Sequence, residues 1–342
     1  MPQYAAAFRC LAGRCPHTCC AAGWEVPVDA DTAARYGDLP GPLGARVRAA
    51  LDVDAEGESC FPLRGGACAL LTPEGLCGVQ LALGEEAIPL VCRTHPRFCY
   101  EYGPLRERGL CASCPEAARL ILDSPPVICS TQEEGEGEEA PPLLAPLLSA
   151  REAAFSLLEA EEVPLPERLQ ALLLFANEVQ VLLDEGRTED LGPVCAFYRE
   201  ELPVPDPEGL PPRQAVMEQC LRLLEGLEIL QPRWRRLLEE GRSGPSGAGA
   251  VPDRAGARAA AYFLYRHWLR GVWDGDVLSW AEFAVLGTAV SARLAPLQEE
   301  GFPGAFRLFC QELEHSERNM EAVQDALWDG FSLPELLSLA QL

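Results

Sequence analysis

Two patterns of hydrophobic and polar positions divide the chain near residue 130. From about residue 143 onward, apolar residues recur at intervals of three and four, which is typical of helices with one buried face. Helices are predicted near residues 143–161, 166–186, 188–201, 213–240, 255–273, 279–299 and 304–328. In the second of these, Gly186 is the expected C-cap, and the apolar stripe is formed by Leu169, Leu172, Leu173, Ala176, Val179, Leu182 and Leu183. This part of the chain is therefore expected to be an α-helical bundle or array.

The first 130 residues show no such regular periodicity. Short helices are predicted from about Asp31, over about residues 42–51 and from about Pro115, where a proline at the first turn favours helix initiation. Between Cys60 and Cys92 the sequence is irregular and contains turn signals such as LRGGAC and TPEG. A region of this kind is expected to be stabilised by a feature other than a large apolar core.

The cysteines are concentrated in this first region, which contains twelve of the 15. The first 30 residues lack the continuous apolar segment of a secretory signal peptide, so we expect a reducing, cytoplasmic location. Thiols stay reduced there and are good ligands for zinc, copper(I) and iron–sulfur clusters. Metal binding is therefore favoured over disulfide bonds, thiol redox chemistry or incidental burial. The sequence contains no apolar run of about eighteen residues, so no membrane span is predicted.

The cysteine spacing favours metal binding without identifying the metal. The paired C-x2-4-C knuckles are Cys15/Cys19 and Cys111/Cys114, and the C-x2-C-x2-C-x3-C run of ferredoxins is missing. A thiol–disulfide oxidoreductase would need a reactive pair such as Cys111/Cys114. No thioredoxin-like βαβ pattern surrounds that pair, so this alternative gains little support.

The fold prediction is thus a mainly α protein in which an irregular, cysteine-rich, metal-binding N-terminal domain precedes an α-helical C-terminal domain. Residues 131–142 are acidic and poor in apolar residues, so we predict a linker between a domain over 1–130 and a domain over 143–342. A glycine-rich run at 241–258 lacks the strand, the lysine and the G-x-G-x-x-G order of a nucleotide-binding loop. It is predicted to be a flexible linker, and a Rossmann domain is not predicted.

The net charge of −24, from 52 acidic and 28 basic residues, narrows the choice of partners. A chain this acidic repels phosphate backbones, so no nucleic-acid partner is expected. The acidity indicates either a solvated surface or attraction to a lysine-bearing protein. All 28 basic residues are arginines, so no lysine of the chain itself could compete with an amine substrate.

Three short stretches contain further candidate residues. In PLVCRTHPRF, Arg93 and Arg97 follow Cys92 in sequence and could lower its pKa or bind an anionic cofactor group, unless they pair with local carboxylates such as Glu101. His17 and His95 could be metal ligands, although a solvent-facing or hydrogen-bonded position is expected for each.

The other two stretches are helical. In AAYFLYRHWLRGVW, Tyr262, Tyr265 and Trp268 lie three residues apart and predict a buried packing stripe, or alternatively a wall for a cofactor or a substrate ammonium group. In ELEHSERNM, residues 312–320, polar residues recur along one helical face, which is expected to be solvated; they are Glu312, His315 and Asn319.

Taken in order, several motifs resemble a known family. FRC-x4-C-x3-CCAAGWEVPVD, CFPL, CALL, PLVCRTHPR, SCPEAARLIL, YFLYRHW and EHSERNM are together similar to the flagellin lysine-N-methylase family of bacteria, roughly over residues 4–124 and 260–325. The first half also resembles smaller cysteine-cluster proteins that chelate zinc or iron.

The resemblance implies transfer of a methyl group from S-adenosylmethionine to the ε-amine of surface lysines on flagellin, by an enzyme with a [4Fe–4S] cluster in the cysteine-rich domain. Another lysine-bearing protein could replace flagellin as the partner, and zinc could replace the cluster. The candidate metal ligands that match the family pattern are Cys10, Cys15, Cys19, Cys20, Cys60, Cys68, Cys77, Cys92 and Cys114. Since one cubane takes four thiolates at most, the set includes ligands for a second metal or bystanders. Cys99, Cys111 and Cys129 are additional to the pattern.

The proposed reaction also suggests roles for polar residues. A lysine must lose its proton before it attacks a sulfonium methyl, and Tyr262, Tyr265 or Glu314 could accept that proton. Arg93 or Arg97 could hold the methionine carboxylate of the donor. The alternative is a non-enzymatic zinc- or iron-chelating scaffold protein whose helical half binds a partner. The sequence leaves oligomerisation open.

Overall fold

The computed structural model describes residues 1–54, 57–125, 133–134, 139–206, 208–244 and 251–342. It is 62% helical and 8% strand, which confirms the mainly α prediction. Within the described residues, no helix is long and apolar enough to cross a membrane. Two hydrophobic cores organise the chain, a small one near the N-terminus and a much larger one built mostly by helices.

The N-terminal region consists of short elements, as the sequence predicts. They are α1 (Gln3–Ala7), β1 (Val26–Pro27), α2 (Ala30–Gly37), α3 (Gly41–Ala50), β2 (Asp52–Val53), β3 (Ser59–Phe61), β4 (Leu63–Arg64), β5 (Ala67–Cys68), α4 (Gly78–Leu83) and α5 (Leu90–Thr94). The central β3 pairs antiparallel with both β1 and β2, and β4 pairs with β5. The small core lies among these elements and contains Val26, Val28, Tyr36, Val47, Ala50, Phe61, Cys68, Leu70, Val79 and Ile88.

A hairpin and one helix follow, and both pack against the larger core. β6 (Arg97–Tyr102) pairs antiparallel with β7 (Leu105–Leu110), and α6 (Pro115–Asp123) begins at the predicted proline. Tyr102, Leu110 and Ile121 are buried in the helical core. This segment therefore packs into the core of the helical region, although it contains Cys99, Cys111 and Cys114.

Half of the predicted acidic linker, residues 131–132 and 135–138, lies outside the described residues. Its described part includes β8 (Glu133–Glu134), which pairs antiparallel with Leu105 and Arg106 of β7. The helical region then begins at α7, within two residues of the predicted start at 143.

The predicted helices of the second region are present, with two corrections. They are α7 (Leu144–Leu158), α8 (Leu165–Asp184), α9 (Leu191–Glu200), α10 (Arg213–Glu225), α11 (Pro232–Ser243), α12 (Asp253–His267), α13 (Gly271–Asp274), α14 (Leu278–Leu294), α15 (Phe302–Leu313), α16 (Glu317–Gly330) and α17 (Leu333–Leu339). The single helices predicted over 213–240 and 304–328 are wrong, because each is divided into two.

Both divisions have local causes. α10 ends at the C-cap Gly226, and Pro232 begins α11 at a position where a proline costs no backbone hydrogen bond. α16 begins after Ser316, whose hydroxyl accepts a hydrogen bond from the backbone N–H of Asn319 at 3.2 Å. Part of the flexible linker predicted over 241–258 is helical, since α11 continues to Ser243 and α12 starts at Asp253, and residues 245–250 lie outside the described residues.

The central element of the large core is α14, which is buried along nearly its whole length. It packs against α12 and α15, where the rings of Phe263, Phe283 and Phe309 meet with centroids 5.2–5.7 Å apart. The predicted stripe of α12 is buried as well, since Tyr262, Tyr265 and Trp268 are at most 1% exposed. Burial on all sides explains why α14 carries few charged residues.

A buried ion pair joins the hairpin to the helices. Arg151 of α7 donates to both carboxylate oxygens of Glu107 on β7, at 2.9 and 2.5 Å, and both side chains are nearly inaccessible to solvent. This bidentate geometry is the strong form of a charge-assisted hydrogen bond. It fixes the position of β6, which forms one wall of the cavity described next.

Candidate active site

A cavity of about 500 Å³ lies between β6, the end of α12, the end of α15 and α16. Its lining consists of Tyr100, Arg266, His267, Arg270, Glu314, Glu317, Met320, Glu321 and Gln324. The volume is within the range of small-molecule sites, and the lining combines aromatic, cationic and anionic groups.

The innermost group of this wall is Glu314, whose side chain is fully buried. Its Oε2 accepts a hydrogen bond from the Tyr262 hydroxyl at 2.6 Å, and its Oε1 lies 2.9 Å from His267 Nε2 and 3.1 Å from Arg266 Nε. The Tyr262 hydroxyl in turn accepts from the backbone N–H of Ala112 at 3.1 Å. A single carboxylate thus joins α12, α15 and the turn before α6.

The electrostatics of the cluster keep Glu314 ionised. Burial by itself raises the pKa of this carboxyl, but the charge of Arg266 and the hydrogen bonds from His267 and Tyr262 outweigh burial and lower the pKa below its ordinary value. Burial raises the pKa of Tyr262 well above 10, so its hydroxyl stays protonated and donates. Glu314 is therefore a fixed negative charge at neutral pH and a weak base.

His267 is held by Glu314 in one tautomer. Since the ionised Glu314 can only accept, Nε2 of the imidazole carries the proton of their hydrogen bond. Burial lowers the pKa of His267 to about 4, which leaves Nδ1 unprotonated at neutral pH. Nδ1 is buried and has no hydrogen-bond partner among the described residues. The ring stacks on Trp280 with centroids 5.2 Å apart, which fixes its plane.

Behind Glu314, a second polar group extends toward the N-terminal region. The Cys111 thiol lies 3.5 Å from both Glu314 Oε2 and His315 Nε2, and the Ser113 hydroxyl lies 2.7 Å from the same His315 nitrogen. The His315 ring stacks on Trp24 at 4.3 Å. Residues of the N-terminal loop therefore support the cavity wall from behind.

The structure brings some of the sequence-predicted residues together and separates others. Tyr262 and Glu314 form the pair described above, whereas the Tyr265 hydroxyl donates to the backbone carbonyl of Arg108 at 2.9 Å and is absent from the cavity lining. Arg93 pairs with Glu86 at 3.2 Å, and the Arg97 guanidinium lies 4.9 Å above the Phe8 ring. Neither arginine lines the cavity.

Arg266, His267 and Arg270 line the cavity and are not among the site residues predicted from the sequence. A signal was present, because these charged and polar residues interrupt a helix that is otherwise apolar and aromatic. Arg270 is partly exposed, and its guanidinium lies 5.3 Å from the Trp280 ring and 6.0 Å from the Tyr100 ring. Of the two arginines that line the cavity, Arg266 pairs with Glu314, and Arg270 lies outside the Glu314 cluster.

The solvated face predicted for residues 312–320 is wrong. Glu312 and Asn319 are at most 1% exposed. Asn319 Nδ2 donates to the backbone carbonyl of Glu228 at 2.9 Å, and Glu312 Oε2 accepts from the backbone N–H of Leu230 at 2.8 Å. These polar side chains satisfy the backbone of the loop between α10 and α11, which explains why they are buried.

Four of the predicted metal ligands converge on the small core. Cys68 is part of that core, and Cys20, Cys77 and Cys92 pack against it. Burial, together with smaller contributions from the neighbouring thiols Cys20, Cys77 and Cys68, raises the pKa of Cys92 to about 12. Within the described residues, however, no group of three or more histidine, cysteine, aspartate or glutamate side chains is arranged to hold a metal ion.

The other candidate cysteines lie elsewhere. Cys10 and Cys15 lie close enough to Cys114 to raise its pKa electrostatically, in addition to burial, and Cys19 is exposed beside Cys20. Cys60 is buried in β3. The described cysteines are all free thiols, and Cys129 lies outside the described residues. His17 pairs with Glu300 at 3.2 Å, and the His95 ring lies 5.6 Å from Trp24.

The fold and the site together define a mainly α protein with a buried, charged cluster beside a cavity and a separate group of thiols. No family model matches the chain, and no solved structure matches it. The chain is 24% identical over 220 residues to proteins named Lysine-N-methylase from Salmonella choleraesuis (strain SC-B67) and Salmonella typhimurium (strain LT2). Each alignment covers 59% of this chain and 53% of the relative, so the chain spans about half the length of these relatives.

A further relative has a flagellar name. The chain is 28% identical over 136 residues to the Flagellar biosynthetic protein FliU from Salmonella muenchen, covering 36% of this chain and 76% of that protein.

Proposed function

We propose that the protein is a protein-lysine N-methyltransferase that transfers the methyl group of S-adenosylmethionine to surface lysines of flagellin or of another lysine-bearing protein. The observation that carries this proposal is the His267–Glu314 pair on the wall of a cavity large enough for a small molecule. The names of the distant homologues support the same reaction.

The cavity fits the donor in size and in charge. When bound, S-adenosylmethionine would supply a methyl group that its sulfonium already activates. Arg270 would hold the α-carboxylate of the methionine moiety, since it is the cavity cation outside the Glu314 cluster. Arg93 and Arg97 lie outside the lining, so Arg270 takes the role first considered for them.

The acceptor lysine would enter past the acidic side of the cavity. Glu317 and Glu321 line it from α16 and attract an ammonium group, and Glu314 adds a fixed negative charge deeper inside. The ammonium must lose a proton before its nitrogen can form the new bond to the methyl carbon. The S–CH₃ bond of the donor would break as the N–C bond forms, and its electron pair would stay on sulfur.

His267 Nδ1 is the proton acceptor in this scheme. It is unprotonated at neutral pH and lacks a partner among the described residues, and Glu314 fixes the tautomer that leaves it available. The carboxylate also stabilises the imidazolium that forms when the proton arrives, as in other carboxylate–histidine pairs. Glu314 is thus a positioning residue, and Tyr262 orients it through their hydrogen bond.

We further propose that Cys20, Cys68, Cys77 and Cys92 bind a [4Fe–4S] cluster. Four thiolates are the number such a cluster takes, and these four share one small core. When bound, the cluster would supply one-electron chemistry and would hold together a region with few apolar contacts. Zinc is the alternative occupant, because thiolates also suit that metal.

The direct test is methyl transfer by anaerobically purified protein from methyl-labelled S-adenosylmethionine to purified flagellin. The wild type is expected to label lysine. His267→Asn is expected to lower the rate by about 10²- to 10⁴-fold, the usual contribution of a general base. His17→Asn, at a surface ion pair, is the matched control and is expected to retain the rate.

Two results would contradict the proposal. An active His267→Asn variant would remove His267 as the base, while leaving the methyltransferase assignment in place. A wild type that contains bound metal but transfers no methyl group to any lysine-bearing protein would favour the non-enzymatic metal-chelating alternative. Iron, zinc and sulfide analysis of the same preparation separates the cluster from zinc.

A further inference from the structure

Two exposed tryptophans, on different elements, lie close in sequence to residues that line the cavity. Trp273 of α13 is 66% exposed and Trp328 of α16 is 55% exposed, the former being the most exposed of the large hydrophobic residues described. Large aromatic side chains at the surface are unusual for a solvated face and are enriched at the centres of protein interfaces.

Their positions relate them to the cavity lining. Trp273 follows the cavity residue Arg270 by three residues, and Trp328 follows the cavity residue Gln324 by four. Residues three or four apart on a helix are neighbours on its surface. Glu317, Glu321, Gln324 and Trp328 therefore form one stripe along α16, which begins at the cavity and ends at an exposed indole.

The two elements are fixed to each other. Gln324 Nε2 of α16 donates to Asp276 Oδ2 at 2.9 Å, just beyond α13. The backbone N–H of Asp276 donates in turn to Asp274 Oδ1 at 3.0 Å. A surface whose parts are already held in place loses little conformational entropy when a partner binds.

We propose that this surface, formed by Trp273, Trp328, Glu317 and Glu321, is the docking site for the protein substrate. This inference rests on the proposed function, because the partner it fits is a lysine-bearing protein surface. The carboxylates of α16 complement lysine ammonium groups, and the net charge of −24 attracts such a partner at a distance. The two indoles cover apolar side chains next to the lysine, which enters the cavity between them.

The test measures binding and methylation separately, with flagellin in unmodified and lysine-acetylated forms as the probe. The Trp273→Ala/Trp328→Ala double variant is expected to bind unmodified flagellin about tenfold or more weakly than the wild type. Both side chains are exposed, so the variant is expected to fold normally. Phe197→Ala, on the equally exposed Phe197 of α9, is the matched control and is expected to bind like the wild type.

The contribution of the α16 carboxylates to binding is tested with charge-neutralising variants. Glu317→Gln/Glu321→Gln is expected to weaken binding and to reduce its dependence on salt, and acetylation of flagellin is expected to have the same effect. The matched control is Glu239→Gln/Glu240→Gln on the exposed face of α11.

The outcomes distinguish docking from catalysis. Flagellin binding by the wild type that depends on the tryptophans, without methyl transfer, would support the docking surface and contradict the proposed function. Methyl transfer with an unchanged KM for flagellin in the tryptophan double variant would contradict the docking surface alone. Absence of flagellin binding by the wild type, or equal losses in the control variants, would also overturn it.

Discussion

The two cores of the protein achieve order by different means. The small core contains ten buried hydrophobic residues, all between Val26 and Ile88, and its elements are two to ten residues long. The large core extends through α7 to α17 and also includes the hairpin and α6. A core as small as the first contributes little stability by burial alone. The large core buries enough apolar surface to be stable without a metal or a disulfide. The difference suggests that the thiols stabilise one region and that apolar packing stabilises the other.

The buried polar groups of the two regions also differ in how they are stabilised. Burial raises the pKa values of Cys68, Cys77 and Cys92 and favours their protonated forms, whereas a hydrogen bond with Cys19 lowers the pKa of Cys20 to about 7. The Glu314 cluster instead balances its own charges, with Arg266 beside the carboxylate. Only the charge of the Glu314 cluster is therefore balanced by residues of the chain itself.

The largest expected effect concerns the pair that attaches the hairpin to the large core. Glu107→Ala leaves Arg151 buried without its carboxylate, and we expect a loss of about 3–5 kcal/mol in the free energy of unfolding. Denaturant titration measures it. The surface pair Glu101–Arg106 on the same hairpin is the control, and Glu101→Ala should cost about 0–1 kcal/mol. Equal losses would mean that the hairpin does not depend on the large core.

A smaller effect should separate the two cores directly. Leu286→Ala in α14 should lower global stability by about 2–5 kcal/mol, because it leaves a cavity in the large core. Val79→Ala in α4 should lower stability by about 1–2 kcal/mol. Hydrogen exchange should show the effect of Val79→Ala mainly in residues 26–92 and that of Leu286→Ala throughout the chain. Global loss of protection in Val79→Ala would contradict two separate cores.

The smallest effect expected is a gradual dependence of stability on pH. Burial lowers the pKa values of His267 and His315 from 6.5 to about 4, so at these two sites the unfolded chain binds more protons than the folded chain between these values. The stability that the two histidines contribute is therefore complete above about pH 6.5 and falls as pH decreases toward about 4. Thermal unfolding across this interval measures it, and His315→Asn should reduce the slope. An unchanged slope would mean that His315 is not buried as a neutral group.

The sequence predicted the helical region well because its information is local. The stripe from Leu169 to Leu183 is mostly buried, and Gly186 has the positive φ of 71° expected just beyond a helix C-terminus. The short elements of the N-terminal region were expected from its turn signals. The division of 304–328 was missed because Ser316 resembles an ordinary polar helix residue until its capping hydrogen bond is seen.

The site could be predicted only in part because its contacts are not local. Tyr262 and Glu314 were both selected for their chemistry, but their 2.6 Å hydrogen bond depends on how α12 packs against α15. Arg93 and Arg97 are candidates because they follow Cys92 closely in sequence, whereas the arginines of the cavity come from α12 and the turn after it. Burial of Glu312 and Asn319 depends on a distant loop, which no periodicity within their own helix indicates.

The most direct test of the central claim is to locate bound S-adenosylmethionine. Ultraviolet cross-linking of the methyl-labelled donor, followed by peptide mapping, identifies the residues that contact it. We predict labelled peptides that contain Tyr100, residues 266–270 or residues 317–324, with loss of label in Arg270→Gln. Label confined to the cysteine-rich residues 10–92 would contradict the account, because the donor would then bind at the thiols and not in the cavity.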